Sequence, residues 1–221
     1  MKPVEQSPDA SPETISRWLK ESFERLVKVN HVATMKKCDV VYLPGGDGRA
    51  GRYIVNVLHK TYTVELDNHM VVDLMTGKRA DDKLAFVIVE YLLGEGGAVS
   101  DTWVPLDQLL KQPAFLYHYQ KNVTRPLEKH FGYNKPLFEE ISRSIGGKRE
   151  KMGGTAFSYT FFPKVKLLLQ IWFGDVAEMR RPSFNASFNL GATKFLKPTP
   201  LLFVFELLLD FMVKAAKKRK A

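Results

Sequence analysis

The stretch PGGDGRAGRY has glycines at the spacing of a dinucleotide-binding fingerprint, at Gly46, Gly48 and Gly51. Such a fingerprint binds a pyrophosphate because a helix follows the glycines and turns its N-terminal N–H groups toward the phosphates. The residues that follow here, RYIVNVLHKTYTVEL, alternate with a period of two and show no helical stripe. We therefore predict a loop between two strands, in which Arg49 and Arg52 form at most a weak anion-binding site.

The histidines and the single cysteine show no recognisable metal or catalytic motif. The five histidines lack the i, i+4 or H-x-H spacing of common metal sites. Tyr117, His118 and Tyr119 place an imidazole between two phenols, which suits either contact with a ligand or a half-buried interface. Cys38 follows two lysines, so its thiol has either a lowered pKa or, as is more usual for a lone cysteine at a strand start, no special reactivity.

The remaining polar motifs assign no reaction. The sequence has no serine-hydrolase elbow, phosphate-binding loop or zinc-hydrolase signature. No catalytic residue, metal ligand or cofactor is therefore assigned, and an enzymatic role is the less favoured interpretation. Arg180 and Arg181 precede the aromatic segment SFNASFNL. They either hold a phosphate or carboxylate group or form a basic pair on the surface.

Hydrophobic periodicity predicts an α+β fold with a mostly antiparallel sheet, formed by an N-terminal meander and a C-terminal hairpin and packed with about five helices. The short β-branched runs DVVYL, RYIVNVL, TYTVEL and MVVDL indicate the meander. TAFSYTFF and KVKLLLQIWF flank Pro163 and predict the hairpin. Its second strand carries apolar residues on both faces, including Trp172, and is therefore expected to be central. SFNASFNL is predicted to be a further strand.

Apolar stripes and cap residues predict the helices. One begins at Ser11 and Pro12, which suit an N-cap and a first helical position. A largely buried helix covers DKLAFVIVEYLL and ends at Gly94. Two helices of modest length cover TRPLEKHF, beginning near Thr124, and NKPLFEEISRS, while VPLDQLL favours a short helix.

The last helix is predicted from Thr199 to about Ala216, with the carboxylates of Glu206 and Asp210 turned toward water. Its apolar run LLFVFELLLDFMV is shorter than the about 20 residues of a membrane span, and no span is predicted. The N-terminal sequence lacks the apolar segment of a secretory signal, and a single cysteine fits a cytoplasmic setting. The predicted organisation is a disordered segment over 1–10, a single α+β domain over 11–216 and a basic tail over 217–221.

The net charge of +9 is concentrated in the second half of the chain. Residues 1–110 carry 13 basic and 16 acidic side chains, a net of −3, whereas residues 111–221 carry 20 basic and 8 acidic side chains, a net of +12. Such asymmetry favours an acidic partner, which is a protein, a nucleic acid or an anionic membrane surface. A surplus of surface lysine without a partner is the alternative.

The order of several segments resembles that of a prokaryotic domain-of-unknown-function family, family thirty-seven eighty-six, which is common in anaerobes. The resemblance covers residues 20–215 and rests on GRYIVNVLHKTYTVEL, LAFVIVEYLLGEGGAVSDTWVPLDQL, PAFLYHYQKNVTRPLEKHFG and the W-x-G-D of Trp172, Gly174 and Asp175. Some members of that family carry an N-terminal iron–sulfur module similar to those of corrinoid-dependent methyl-transfer proteins. The resemblance therefore implies a context of anaerobic cofactor metabolism, with no established catalytic residue.

Two departures from the family pattern limit what the resemblance implies. With Cys38 as its only cysteine, the chain is expected to hold no intrinsic iron–sulfur cluster. VAEMRRPS replaces the acidic-Phe-Pro segment after Asp175, and Asn189 stands where the family has a later aspartate. A role of those acidic positions in binding a cationic or metal-bearing ligand is therefore expected to be lost here.

The leading functional hypothesis is a non-catalytic accessory or subunit protein that docks on a larger acidic partner, in anaerobic corrinoid or iron–sulfur cofactor metabolism. It rests on the basic second half and on its aromatic strands with arginine neighbours. A first alternative is a protein, enzymatic or not, that binds a small molecule or cofactor in a pocket near His118, Trp172 and Arg180. A second alternative is nucleic-acid binding through the basic C-terminal half.

Overall fold

Two helices begin the described part of the chain. In the computed structural model, which describes residues 7–109 and 113–220, α1 runs over Pro12–Leu26 and α2 over His31–Cys38. Ser11 caps α1 as predicted, because its hydroxyl accepts a hydrogen bond from a backbone N–H of the first turn. The sequence does not predict α2, since only Thr34 and Cys38 of this short helix are buried and the apolar stripe is correspondingly weak.

The first sheet is the predicted four-stranded meander. Its strands pair in chain order, and every pair of neighbours is antiparallel. Leu43 pairs with Arg52, so the glycine segment is the loop between the first two strands, as predicted. The strands are β1 (Val41–Leu43), β2 (Arg52–Val57), β3 (Lys60–Glu65) and β4 (Met70–Asp73).

The second sheet contains the predicted hairpin at its centre. The five strands lie in the order β5, β9, β8, β7, β6, and all neighbours are antiparallel. The central strand β8 is almost entirely buried and reaches the surface at Trp172, its last residue. The predicted short helix is a 3-10 helix, Leu106–Leu109. The strands are β5 (Trp103–Pro105), β6 (Lys148–Glu150), β7 (Thr155–Phe162), β8 (Val165–Trp172) and β9 (Ser183–Asn189).

The helices α1 and α3 (Asp82–Leu93) are joined by a buried ionic contact. Glu90 of α3 is buried and accepts hydrogen bonds from Ser22, at 2.6 Å, and from Arg25, both on α1. A buried carboxylate without such partners would be strongly destabilising. The contact therefore fixes the register of α1 on α3. The remaining helices are α4 (Pro113–Tyr119), α5 (Arg125–Phe131), α6 (Lys135–Ser144) and α7 (Pro198–Lys220).

The last helix, α7, differs from its prediction in two ways. Every residue from Leu201 to Leu209 is buried, so Glu206 does not face water, and the predicted amphipathic helix is wrong on this point. The helix also continues past Ala216 to Lys220, because alanine, lysine and arginine are good helix formers and no glycine or proline stops it. Residues 217–220 are thus helical rather than a tail, and Arg219 bonds to Glu140 of α6 at 2.6 Å.

The N-terminal segment is also more ordered than predicted. Residues 1–6, like residue 221, lie outside the described residues. In the segment 7–10, Pro8 is buried and Asp9 bonds to a side chain of the interior. The prediction of disorder is therefore wrong for residues 7–10, because these contacts hold the segment against the core.

Two antiparallel sheets packed with helices form an α+β fold, as the sequence predicts. The buried apolar side chains of both sheets and of the helices belong to one continuous cluster. In the described part of the chain, no helix has the length and apolar character needed to cross a membrane.

Candidate functional site

His118 lies on a helix whose regular pattern is interrupted beside it. A π-helical segment, Gln120–Thr124, joins α4 to α5 without a break, and the N–H of Arg125 bonds to the carbonyl of Gln120, five residues earlier. Pro126 explains the wider turn, since it has no N–H and its ring would clash with the carbonyl four residues earlier in a regular α-helix. The α-helix α5 begins at Arg125, as predicted, but Thr124 has helical backbone angles and its side chain makes no cap hydrogen bond, because the π-helical segment leads directly into α5. Such π segments are frequent at functional sites.

The imidazole of His118 is buried between two carboxylates. Its Nδ1 lies 2.8 Å from Oδ1 of Asp9, and its Nε2 bonds to Oε1 of Glu206. The second oxygen of Glu206 accepts a 2.8 Å hydrogen bond from Nζ of Lys83 on α3. The side-chain nitrogen of Asn122 lies 3.0 Å from Nε2 of His118. These five residues form the His118 cluster, which joins the N-terminal segment, α3, the interrupted helix and α7.

The surroundings of His118 favour its protonated form. Burial disfavours the charged imidazole, but the hydrogen bonds and charges of Glu206 and Asp9 outweigh burial, so the pKa of His118 is raised above its ordinary value of 6.5. The imidazolium and Lys83 together compensate the carboxylate of Glu206, which is only 6% exposed. Because His118 itself is 4% exposed, its bonds hold elements of the fold together in the interior.

The two tyrosines beside His118 lie in different surroundings. Successive side chains of a helix point about 100° apart. Tyr117 is exposed, and its ring lies 5.9 Å from Nζ of Lys121, whereas Tyr119 packs against the core and has its pKa raised by burial. The three predicted residues 117–119 therefore do not line one common site.

Trp172 and both predicted arginines line one open cleft of about 690 Å³. Trp172 ends β8 and is 42% exposed. Lys135 of α6 contributes a third cation beside Arg180 and Arg181, and none of the described residues that line this cleft carries a carboxylate. A Cβ on Gly154 would lie 3.1 Å from Nε1 of the indole, so glycine lets the indole lie close to the backbone.

Next to this cleft, Asp175 builds a tight turn. Its Oδ1 accepts hydrogen bonds from the N–H groups of Ala177 and Glu178 at 2.9 and 3.3 Å, and its backbone exchanges two hydrogen bonds with Arg180. The turn displays Val176, which is 77% exposed, and Met179, which is 91% exposed. The name Trp172 surface refers below to Lys135, Trp172, Val176, Met179, Arg180 and Arg181.

The glycine loop is a poor site for an anion. The N–H of Ala50 already donates to Oδ1 of Asp67 at 2.8 Å. The shallow cleft at this loop places Arg49 and Arg52 among three carboxylates, those of Asp47, Glu65 and Asp67. The local charge therefore opposes the weak anion-binding site that the two arginines suggest.

Cys38 has the properties of an inert thiol. Its side chain is fully buried, and Sγ donates to the carbonyl of Tyr91 at 3.4 Å. Burial raises the pKa of Cys38 to about 12, against the lowering effect of Lys37 and Lys164. The thiol therefore stays protonated at neutral pH, and the flanking lysines do not activate it.

The chain belongs to a family that is defined by a domain of unknown function. The family model described as "Domain of unknown function (DUF3786)" matches residues 38–210, a span that contains both sheets and the whole Trp172 surface. The predicted family is thereby confirmed. No curated protein and no solved structure matches the chain.

Asn189 has a structural role in this chain. Its buried side chain accepts a hydrogen bond from the N–H of Lys166 at 2.8 Å and donates one to the carbonyl of Lys164 at 3.2 Å. These bonds tie β9 to the start of β8. An aspartate could not donate the second bond, so the amide is the better fit at this position.

Sequence analysis missed four members of the His118 cluster: Asp9, Lys83, Asn122 and Glu206. Asp9 lies in a segment predicted to be disordered, and Lys83 lies far from His118 in sequence. A signal did exist for Glu206, which stands within nine consecutive residues that are otherwise apolar. A helix apolar on every side is buried, and a carboxylate inside it needs a cationic partner.

We predict that the stability contributed by His118 decreases as the pH rises. A raised pKa in the folded state means that this contribution is complete below the ordinary histidine pKa and is lost as the pH passes through the folded value. The free energy of unfolding of the wild type, relative to His118→Gln, should fall as the pH rises above the ordinary histidine pKa of 6.5, by about 1.4 kcal/mol per unit of raised pKa. Denaturant unfolding at several pH values measures it.

The variant Asp9→Asn is the control for this pH dependence. It preserves the size of the side chain but removes one of the charges that raise the pKa of His118. In the Asp9→Asn background, the change in the free energy of unfolding caused by His118→Gln should therefore vary less with pH. If this change is independent of pH in both backgrounds, His118 does not titrate as described.

We predict that Asp175→Ala loosens the turn of the Trp172 surface. Two backbone N–H groups lose their acceptor, at a cost of about 1 kcal/mol. Hydrogen exchange of the amides of Ala177 and Glu178 should accelerate about fivefold, while Asp175→Asn, which retains Oδ1, should exchange like the wild type. Unchanged exchange in Asp175→Ala would mean that the backbone bonds alone hold the turn.

Proposed function

We propose that this protein is a non-catalytic accessory or subunit protein that docks on a larger acidic partner through the Trp172 surface. The observation that carries the proposal is a partly exposed indole beside three cations, in a cleft whose lining has no carboxylate within the part of the chain that the structure describes. A cytoplasmic setting and a place in anaerobic corrinoid or iron–sulfur cofactor metabolism belong to the same proposal.

The apolar side chains of the Trp172 surface supply the affinity. Val176 and Met179 expose apolar area on the turn that Asp175 holds, and this turn follows the partly exposed Trp172 closely in the chain. Tryptophan, methionine and arginine are enriched in interfaces, and tryptophan and arginine are frequent hot spots. A turn that is already ordered loses little entropy on binding, which favours tight association.

The cations of the Trp172 surface determine which partner fits. The only described ion partner of Arg180 is Glu178, at 3.5 Å and with both side chains exposed, which is a weak contact. Arg181 and Lys135 make no ion pair with a described residue. A partner that surrounds an apolar centre with aspartate and glutamate would complement this arrangement, whereas a basic partner would be repelled.

The two alternative functions have less support at the residues first considered. The described contacts of His118 do not include Trp172 or Arg180, and the described lining of the cleft at Trp172 and Arg180 does not include His118. Nucleic-acid binding would use the basic end of α7, where Arg219 is already paired with Glu140.

We expect a specific acidic partner to depend on the Trp172 surface. The tagged protein is purified at low salt from its own cells, and co-purified proteins are identified and then tested for binding as purified proteins. Trp172→Ala should weaken binding of the partner about thirtyfold, which corresponds to a hot-spot loss of about 2 kcal/mol. Arg180→Glu with Arg181→Glu should abolish it, because two attractions become repulsions.

The charge-matched control is Lys194→Glu with Lys197→Glu, two exposed positions in the same basic half. This variant has the same net charge as the arginine variant and should bind the partner as the wild type does. Equal loss in both variants would show that overall charge, and not the Trp172 surface, governs binding. The proposal would be contradicted by a partner that binds all variants equally. It would also be contradicted if the molecule that co-purifies and depends on these residues is a nucleic acid rather than a protein.

A further inference from the structure

A second cleft, of about 610 Å³, lies where the meander meets α6 and α7. Its walls come from β3, the turn after β4, the start of α3, the end of α6 and the C-terminal half of α7. It shares no lining residue with the Trp172 surface or the His118 cluster. Its volume is in the range of clefts that hold small molecules. We call it the lysine cleft.

The floor of the lysine cleft is apolar. Tyr62, Leu84, Ile145 and Leu207 are buried side chains that line it, and Phe211 lies partly exposed at its edge. His59 stands beside this floor, its ring edge-on to Phe211 at 6.3 Å between centroids. Burial and the neighbouring Lys60 lower the pKa of His59. The floor can therefore accept an uncharged ring or chain.

Six cations surround this floor and outnumber the carboxylates. Asp73 is bonded to Lys60 at 2.7 Å and to backbone N–H groups of its own turn, and Asp81 caps α3. Asp210 is the third carboxylate, and partial burial raises its pKa, although Lys214 and Lys83 lower it. The six cations are Lys60, Lys78, Arg79, Lys214, Lys217 and Lys218.

Four of the six cations have no carboxylate partner among the described residues: Lys78, Lys214, Lys217 and Lys218. They come from two distant parts of the chain and meet only because α7 crosses the end of the meander. Like charges in a concave setting focus a positive potential and attract a multiply charged anion. Lysine ammonium groups act as mobile point charges, which suits phosphate oxygens, whereas planar carboxylates are matched better by arginine.

We propose that the lysine cleft binds an organic phosphate, a molecule with a multiply charged phosphate group and an apolar body, such as a nucleoside triphosphate. The phosphates contact the lysines of α7 and Lys78, while the apolar body covers Leu84 and Leu207 on the floor. This site is independent of partner docking, because the two surfaces have no residue in common.

Isothermal titration with three probes tests both parts of the proposal. ATP carries the phosphates and an apolar ring system, tripolyphosphate carries only the charge, and adenosine carries only the ring system. ATP should bind at least about tenfold more tightly than either other probe, with an affinity that decreases as salt is added. The resonances of the His59 ring should shift on addition of ATP. Binding of tripolyphosphate as tight as that of ATP, or no binding of ATP below about 1 mM, would overturn the proposal.

Charge reversal on α7 locates the site. Lys214→Glu with Lys217→Glu should weaken ATP binding at least about tenfold, and the alanine pair at these positions, which adds no repulsion with Asp210, about fivefold. Arg17→Glu with Lys20→Glu makes the same charge change, at the same spacing, on exposed positions of α1 and should bind ATP like the wild type. Trp172→Ala should also bind ATP normally. ATP affinity that is unchanged in the α7 variants, or reduced equally in the α1 variant, would contradict the assignment.

Discussion

The burial of the Glu206 carboxylate is the interaction on which the helical part of this structure depends. Nine consecutive residues of α7, 201–209, are buried, so no side of this segment is exposed to water. The one carboxylate among them, that of Glu206, therefore needs cationic partners inside the protein. His118 and Lys83 provide them, and they come from two other helices. Satisfying one charge thus fixes the mutual position of α3, α7 and the interrupted helix. Glu90 acts in the same way between α3 and α1.

The polar groups of this protein fall into two kinds with different consequences for function. Those of the His118 cluster are bonded to one another around two buried groups, His118 and Glu206, and no buried side-chain nitrogen or oxygen in the described part of the chain lacks a partner. Groups that are fully paired inside the protein stabilise it but contact no other molecule. The Trp172 surface and the lysine cleft differ from this cluster, because each has cations without a described ion pair beside apolar area. Such groups are suited to binding anionic partners.

Much of the fold follows from local sequence, whereas the sites do not. The meander, the strands β7 to β9 and the helices α1 and α3 were predictable because their periodicity and caps are local signals, as Ser11 and Asp81 show. The edge strands β5 and β6 were not predicted, since three residues are too few to show an alternating pattern. The π-helical segment before Pro126 was not predicted either, because a proline in this position fits an ordinary helix start equally well. His118 and Trp172 were recognised by residue type, but adjacency in sequence suggested that 117–119 act together, and helical geometry separates them. Lys78 and Lys214 line the same lysine cleft. This arrangement depends on the path of α7 across the meander and leaves no pattern in the sequence.

The central claim, that the Trp172 surface is where a partner binds, is tested most directly by photo-crosslinking in the protein's own cells. A photoreactive amino acid replaces Met179 in one strain and Met75, a similarly exposed methionine outside this surface, in another. The account predicts a single covalent adduct with an acidic protein from position 179 and none from position 75. Adducts from position 75 alone, or the same diffuse adducts from both positions, would contradict it.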